Sequence, residues 1–189
     1  GLREIGGVLS EYVHNDLQPL IEALERREQI ADRVIEQCKP LTIERIRELV
    51  AALTTHLGVP LPEGRVIVNW DEVREMSRMG ISFGSHSCSH RILTTITSDK
   101  VSVELVRSRQ VLLEQGVNYV PVFCYPNGNS DLNIQRLVQA SGYEAACSVR
   151  TGREGRVPDN KYAIRRVGIH NDVTNTIPLF SLRLFGSLP

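Results

Sequence analysis

Apolar residues recur at helical spacing through the first third of the chain. Leu17, Leu20, Ile21, Leu24, Ala31, Val34, Ile35 and Cys38 follow one another with charged residues between them. Pro40 breaks that run. Thr42 is placed to cap a second helix whose apolar face is Ile43, Ile46, Leu49, Val50, Leu53 and Leu57. Gly58, Pro60 and Pro62 end it. Two successive amphipathic helices predict a helical hairpin over residues 1–60, laid against another element.

From about Arg65 the pattern changes, and short apolar runs alternate with capped helices over residues 61–189. Asn69 and Glu72 have capping-box spacing for a helix carrying Val73 and Met76, stopped by Gly80. A strand is predicted at 81–83. Ser98 or Asp99 opens a helix with Val101, Leu105 and Leu112 on one face, ending near Gly116. Further strands are predicted at 120–123, 145–149 and 163–169. A helix capped by Asp131, carrying Ile134, Leu137 and Val138, ends at Gly142. Residues 174–185 read as a last helix with Pro178 in its first turn. Strand–helix alternation at this spacing predicts an α/β fold with a parallel sheet, open or closed into a barrel. Such sheets carry their chemistry beyond the C-terminal ends of the strands.

Composition narrows the function classes. The 189 residues are 41% hydrophobic, enough for a real core, and Lys plus Arg balance Asp plus Glu at 22 each. A neutral chain without a basic run argues against a dedicated nucleic-acid binder, yet leaves a sugar polymer open as partner. No apolar stretch reaches the roughly 20 residues of a membrane span. The first ten residues lack the basic head and apolar run of a signal peptide. The cysteines, Cys38, Cys88, Cys124 and Cys147, form no Cys-x-x-Cys pair. Scattered single cysteines lead to the expectation of a reducing, cytoplasmic setting.

The strongest chemical signal is Gly84-Ser85-His86-Ser87-Cys88-Ser89-His90, directly after a predicted strand. Histidines four apart share one face of a helical turn, and neutral imidazoles so placed reach one metal ion. The alternative is a polar loop with two solvated histidines. Phe123-Cys124-Tyr125-Pro126-Asn127-Gly128 also ends a strand, and by itself reads as a Pro-Asn-Gly turn. Arg165-Arg166-Val167-Gly168-Ile169-His170 ends another, with His170 either a surface residue or a proton donor near neutrality. His14 and His56 fall in the helical region and read as solvated. Asp131 reads as a cap and not as a ligand.

Taken in order, these motifs resemble those of the polysaccharide deacetylases with a NodB homology domain. His86-Ser87-Cys88-Ser89-His90 looks like the family's His-Ser/Thr-x-x-His metal motif. Residues 70–76, Gly80 and Leu93-Thr94 resemble the segments around it. The resemblance implies His86 and His90 as ligands of a divalent metal, zinc first by ligand type, with cobalt or nickel also able to bind imidazole. Pro126 and Gly128 match the family's Arg-x-Pro-Tyr-Gly motif, with Cys124 where arginine is usual. By position, the Asn127 amide is then the donor to the oxyanion, and Tyr125 and Pro126 contribute to substrate binding. His170 matches the general acid, with Asp172 as a candidate to orient it. The implied fold is part of a distorted (β/α) barrel. The implied reaction is hydrolytic de-N-acetylation of an N-acetylated polysaccharide or oligosaccharide.

The family's first motif, an adjacent Asp pair holding the general base and third ligand, has no counterpart here: no Asp-Asp occurs in the sequence. The resemblance therefore runs from Gly58 to the end. The helical hairpin resembles an insertion carried by some exopolysaccharide deacetylases. The expectation is a chain lacking the first strands, inactive or nearly so as given, with an exposed strand edge that favours self-association. A non-catalytic sugar- or metal-binding relative and a helical interaction domain are the rival readings.

Overall fold

In the computed structural model, which describes residues 34–61, 63–171 and 174–185, the chain divides into two units, 1–67 and 68–189. In the first unit, helix α1 spans Ile43–Leu57. Thr42 caps it as predicted: its backbone is extended and its hydroxyl accepts from the Arg45 amide at 3.3 Å. Gly58 closes it at φ 62°, the left-handed conformation that glycine adopts without strain. Of the predicted apolar face, Leu49 is buried and Ile46 and Leu53 half-buried, whereas Ile43, Val50 and Leu57 are exposed. His56 is exposed in the last turn. The first helix of the predicted hairpin falls mostly outside the described residues, as does His14; residues 34–38 are helical.

The second unit is built on a four-stranded parallel sheet in the order β1-β2-β3-β4. Helix α2, Trp70–Arg78, starts at a complete capping box: the Asn69 side chain accepts from the Glu72 amide at 2.9 Å, and Glu72 accepts from the Asn69 amide at 2.8 Å. β1 is Phe83–Ser85, two residues later than predicted. The Ile81 amide is still spent on the Met76 carbonyl, so pairing starts only at Phe83, whose amide reaches Asn118 O at 2.8 Å. Helix α3, Ser98–Glu114, and helix α4, Leu132–Ala140, form the crossovers between β1, β2 (Tyr119–Cys124) and β3 (Ala145–Thr151). Asp131 caps α4 through the Ile134 amide at 2.8 Å.

β4 is Ile164–Arg166, shorter than the predicted 163–169, because Val167 and the residues after it leave the ladder. Helix α5 is Ile177–Phe185, with Pro178 in its first turn. Among the described residues the sheet does not close: β1 and β4 are its edges. This is the α/β architecture expected of part of a barrel. No helix among the described residues is long and apolar enough to cross a membrane.

The core lies between the sheet and α3 and α4. Leu93, Val101, Leu105, Phe123, Tyr125, Ile134, Val138, Tyr143 and Ala146 pack into one buried cluster. Large apolar side chains such as these contribute about 1.5–3 kcal/mol each on burial. One register irregularity matters for the site. Phe83 pairs with Tyr119 and Ser85 with Phe123, so two steps along β1 match four along β2. Gly84 is required at this approach: a Cβ there would lie 2.8 Å from the Val122 carbonyl oxygen.

Candidate active site

His86 follows β1 immediately, and its position is set from beneath. Ser85 is buried and donates to the Ser108 hydroxyl at 2.6 Å. Ser108 and the Tyr143 hydroxyl both reach the Leu105 carbonyl, at 3.1 and 2.9 Å. Every hydroxyl in this buried chain has an acceptor, so it fixes the strand end at little desolvation cost. Burial pushes the Tyr143 phenol up, which keeps it a donor at neutral pH.

The His86 ring is oriented from the neighbouring strand. Its Nδ1 lies 2.7 Å from the Cys124 carbonyl oxygen. A carbonyl only accepts, so Nδ1 carries the proton and Nε2 of the neutral ring presents its lone pair outward. This is the arrangement that metal-ligating histidines use to fix tautomer and orientation. His90 Nε2 stands 3.1 Å from His86 Nε2, with the rings edge-to-face. Two nitrogens about 2.0–2.1 Å from one zinc ion, roughly 100° apart, are separated by about 3.1 Å. The pair therefore fits a shared cation. Among the described residues no group of three or more His, Cys, Asp or Glu is placed to hold a metal, so the fit extends to two ligands.

The sequence reads the two histidines as sharing a helical turn, and the structure corrects the reason while keeping the result. Ser87 and His90 have φ of 68° and 56°, so the segment is a left-handed loop and not an α-turn. It is held by Glu104 of α3, a residue outside the sequence motifs. One Glu104 oxygen accepts from the Cys88 and Ser89 amides at 2.8 and 2.9 Å, and the other from the Ser89 hydroxyl. The Ser87 hydroxyl adds a bond, accepting from the His90 amide at 2.9 Å. A carboxylate bound to consecutive amides is strongly held and accounts for the strained backbone. Its signal lies 14 positions beyond His90, on a helix that reads simply as amphipathic. The Cys88 thiol is pushed up by partial burial and then by the Glu104 charge, so it stays a thiol.

The third non-glycine residue at positive φ among the described residues is Asn127, at φ 56°. It belongs to a short turn, Pro126–Gly128, directly after β2. Asparagine tolerates this conformation better than most residues, and its side chain bonds Asn129 Oδ1 at 2.6 Å. Gly128 follows at φ 76°; a Cβ there would lie 2.2 Å from a Val149 methyl. The backbone at Asn127 is thus clamped between two strand ends.

Tyr125 and Pro126, expected at the substrate, are buried instead. The Tyr125 hydroxyl donates to the Tyr162 carbonyl at 2.8 Å, and burial raises its pKa further. Both side chains serve packing. Cys124 stands at the family's arginine position. Burial, then the neighbouring Cys147, raises its thiol, so it supplies no charge. Its contribution to the site is its carbonyl.

His170 is exposed at the far end of the sheet. Its backbone is latched by buried Thr174: the His170 amide donates to Thr174 Oγ1 at 3.0 Å, and the Thr174 amide to His170 O at 2.8 Å. Asp172 falls outside the described residues. His170 lines a cavity of about 440 Å³ with Val149, Thr151, Arg166, Gly168 and Arg183. That cavity includes neither His86 nor His90, which border another of about 270 Å³ (His86) or stand beside it (His90). The link between the two ends is Val149, which lines the His170 cavity and abuts the Asn127 turn. The structure thus unites His86 with His90 and sets Asn127 one strand away, but gives no direct contact between His170 and the histidine pair.

Comparisons with known proteins bear on the family and the fold. The family model of polysaccharide deacetylases matches residues 44–146, from within α1 to β3. The Streptococcus pyogenes deacetylase PplD, solved in complex with acetate, is similar at 19% identity and a TM-score of 0.52 over 64% of this chain and 50% of that one. The Bacillus anthracis protein BA0330, assigned as a polysaccharide deacetylase, is 26% identical with a TM-score of 0.53, over 60% of this chain and 35% of that one. The Bacillus cereus polysaccharide deacetylase BC0361 is 20% identical with a TM-score of 0.55, over 79% of this chain and 59% of that one. The chain thus spans between about a third and three-fifths of the length of these proteins. No curated protein sequence matches it. With more than half of its length matched by the family model, and its motifs at successive ends of a parallel sheet, the chain belongs to the polysaccharide deacetylase family.

Proposed function

We propose that this chain carries part of the catalytic apparatus for hydrolytic de-N-acetylation of an N-acetylated polysaccharide or oligosaccharide. The observation that carries the reading is the convergence of His86 Nε2 and His90 Nε2 at 3.1 Å beyond a strand end, with the tautomer of one set by a carbonyl. These two residues would hold a divalent metal, zinc first by ligand type. Such an ion supplies Lewis-acid polarisation of a carbonyl and makes water a better nucleophile.

The chain's own residues divide the remaining work. The Cys124 carbonyl keeps Nδ1 of His86 protonated and the ring oriented. The Asn127 backbone, fixed at a strand end, offers its amide to the oxyanion as the acetamide carbonyl becomes tetrahedral. A preorganised donor of this kind lowers a barrier by about 3 kcal/mol. His170, as imidazolium, protonates the leaving amine, and acetate and a free amino sugar result. No Asp-Asp pair is present to act as base and third ligand, so the chain by itself turns over weakly or not at all. Residues 1–60 act as an insertion-like segment and 61–189 as the barrel portion, although the family match already begins at residue 44. Four free, separated thiols support a reducing, cytoplasmic setting.

The test has two arms. Zinc titrated into the chain should bind weakly, and His86→Ala should abolish that binding. Acetate release from N-acetylglucosamine oligomers should be near background for this chain and should appear when a polypeptide bearing the family's Asp-Asp strand is joined to it. Robust turnover by the chain alone would overturn the partial-apparatus reading. Absence of zinc binding would favour a non-catalytic sugar-binding relative, the reading that the two-ligand limit supports.

A further inference from the structure

The cavity beside His170 has a composition that the hydrolytic chemistry does not require. Its wall carries two guanidinium groups, Arg166 at the end of β4 and Arg183 of α5, and among the described residues no acidic side chain lines it. Each guanidinium is held by its Nε on a backbone carbonyl: Arg166 on Ser148 O at 2.7 Å and Arg183 on Gly168 O at 3.1 Å. Anchoring through Nε fixes the plane of the group and leaves the Nη donors for something else. Neither arginine has a carboxylate partner among the described residues.

Two of the lining side chains also converge. A Cβ at Gly168 would lie 2.8 Å from His170 Nε2 and 3.9 Å from Arg183 Nη2, so both side chains stand against that backbone. The volume of about 440 Å³ lies within the range of small-ligand sites, about 300–1,000 Å³. Planar, fixed guanidinium groups match a carboxylate better than a neutral sugar hydroxyl.

We infer that this cavity is a carboxylate subsite, and that the polymer is an acidic one whose N-acetylated units neighbour uronic-acid units. The assignment of the polymer rests on the deacetylase reading above; the anion preference rests on the cavity alone. Val149 joins the cavity to the Asn127 turn, so an acidic unit held here sits next to the unit being processed. The same chemistry would also accept released acetate, and the experiment separates the two sources.

Binding is measured by calorimetry with the full chain and three probes. These are a tetrasaccharide alternating N-acetylglucosamine and glucuronate, the neutral N-acetylglucosamine tetramer, and sodium acetate. The acidic tetrasaccharide should bind about tenfold more tightly than the neutral one, as expected for one or two charge-assisted hydrogen bonds. Arg183→Gln and Arg166→Gln should each erase most of that preference and leave the neutral tetramer unchanged. Arg183→Lys, which retains the charge, should keep part of it and guards against a folding artefact.

Equal affinity for the two tetrasaccharides, or no binding of the acidic one, would overturn the inference. So would a preference that survives Arg183→Gln, or acetate alone binding as tightly as the acidic tetrasaccharide. None of these readouts needs turnover. Binding that behaves as expected without acetate release would count against the deacetylase reading, and acetate release without a charge preference would count against the subsite.

Discussion

The two ends of the sheet carry the same kind of residue under opposite regimes. At β1, the histidine loop is fixed on every side: a buried hydroxyl chain beneath Ser85, the Cys124 carbonyl on His86, and the Glu104 carboxylate across Cys88 and Ser89. At β4, His170 is exposed and held by a single threonine latch, in a wide cavity between arginines. The first arrangement suits a small ion, whose ligands must be within a few tenths of an ångström of their final geometry. The second suits a polymer, which needs room and charge matching more than rigidity. Under the proposed function, the precision of each end follows the size of its ligand.

The sharpest way to break this contrast is at the rigid end. His86→Ala or His90→Ala should lower zinc affinity by at least about 100-fold, read by titration, because each removes one of two ligands. Gly128→Ala comes next. The new methyl meets Val149 and the backbone is at φ 76°, so stability should fall by about 2–4 kcal/mol in urea denaturation. Adding Val149→Ala should recover at least about 1 kcal/mol of that loss. A Gly128→Ala chain as stable as wild type would mean the turn is not clamped.

Glu104→Gln is a subtler probe. It should cost about tenfold in zinc affinity, since the loop carrying both histidines loses its charged anchor. It carries an independent signature at Cys88. The Glu104 charge raises that thiol's pKa, so removing it lowers the pKa and increases the thiolate fraction at any given pH. Alkylation by iodoacetamide at pH 8 should therefore quicken, with its pH–rate curve displaced toward lower pH. An unchanged or slower rate would deny Glu104 its place against the loop.

The smallest effect is the most telling for the comparison. His170→Ala and Arg183→Gln should leave zinc affinity within about twofold, because groups that share no partners act independently. A large loss would show that the two ends form one site. Sedimentation adds a last check: the open edges of β1 and β4 predict concentration-dependent association, and a monomer at all concentrations would contradict it.

Much of the fold was legible because its signals are local. The Asn69–Glu72 box, Thr42, Asp131 and the αL glycines act through neighbours a few positions away, and each stands where its spacing predicts. The strand limits were less legible, since they depend on where helix caps and irregular loops release amides: Ile81 remains tied to Met76, and residues after Arg166 leave the ladder. In the site, the histidine spacing announced a pair but misread its backbone. Tyr125 looked accessible because it lies in a motif, whereas its burial depends on Tyr162, 37 positions away. Glu104 and Arg183 carry no local signature at all; only the folded chain brings them to the loops they serve.

The carbonyl contact to His86 has one more consequence. It joins a ring on β1 to the main chain of β2, across strands whose register slips by two residues just before the site. A carbonyl is indifferent to the side chain it belongs to, so the cysteine at position 124 leaves the imidazole's proton where an arginine would have left it. What the contact does sense is alignment. Slide β1 by one residue against β2, and Nδ1 loses its acceptor, the tautomer is no longer specified and Nε2 turns away. The protonation state of one ring is thereby a gauge of how two strands are seated, and an NMR record of the His86 nitrogens would report strand registration without any ligand being added.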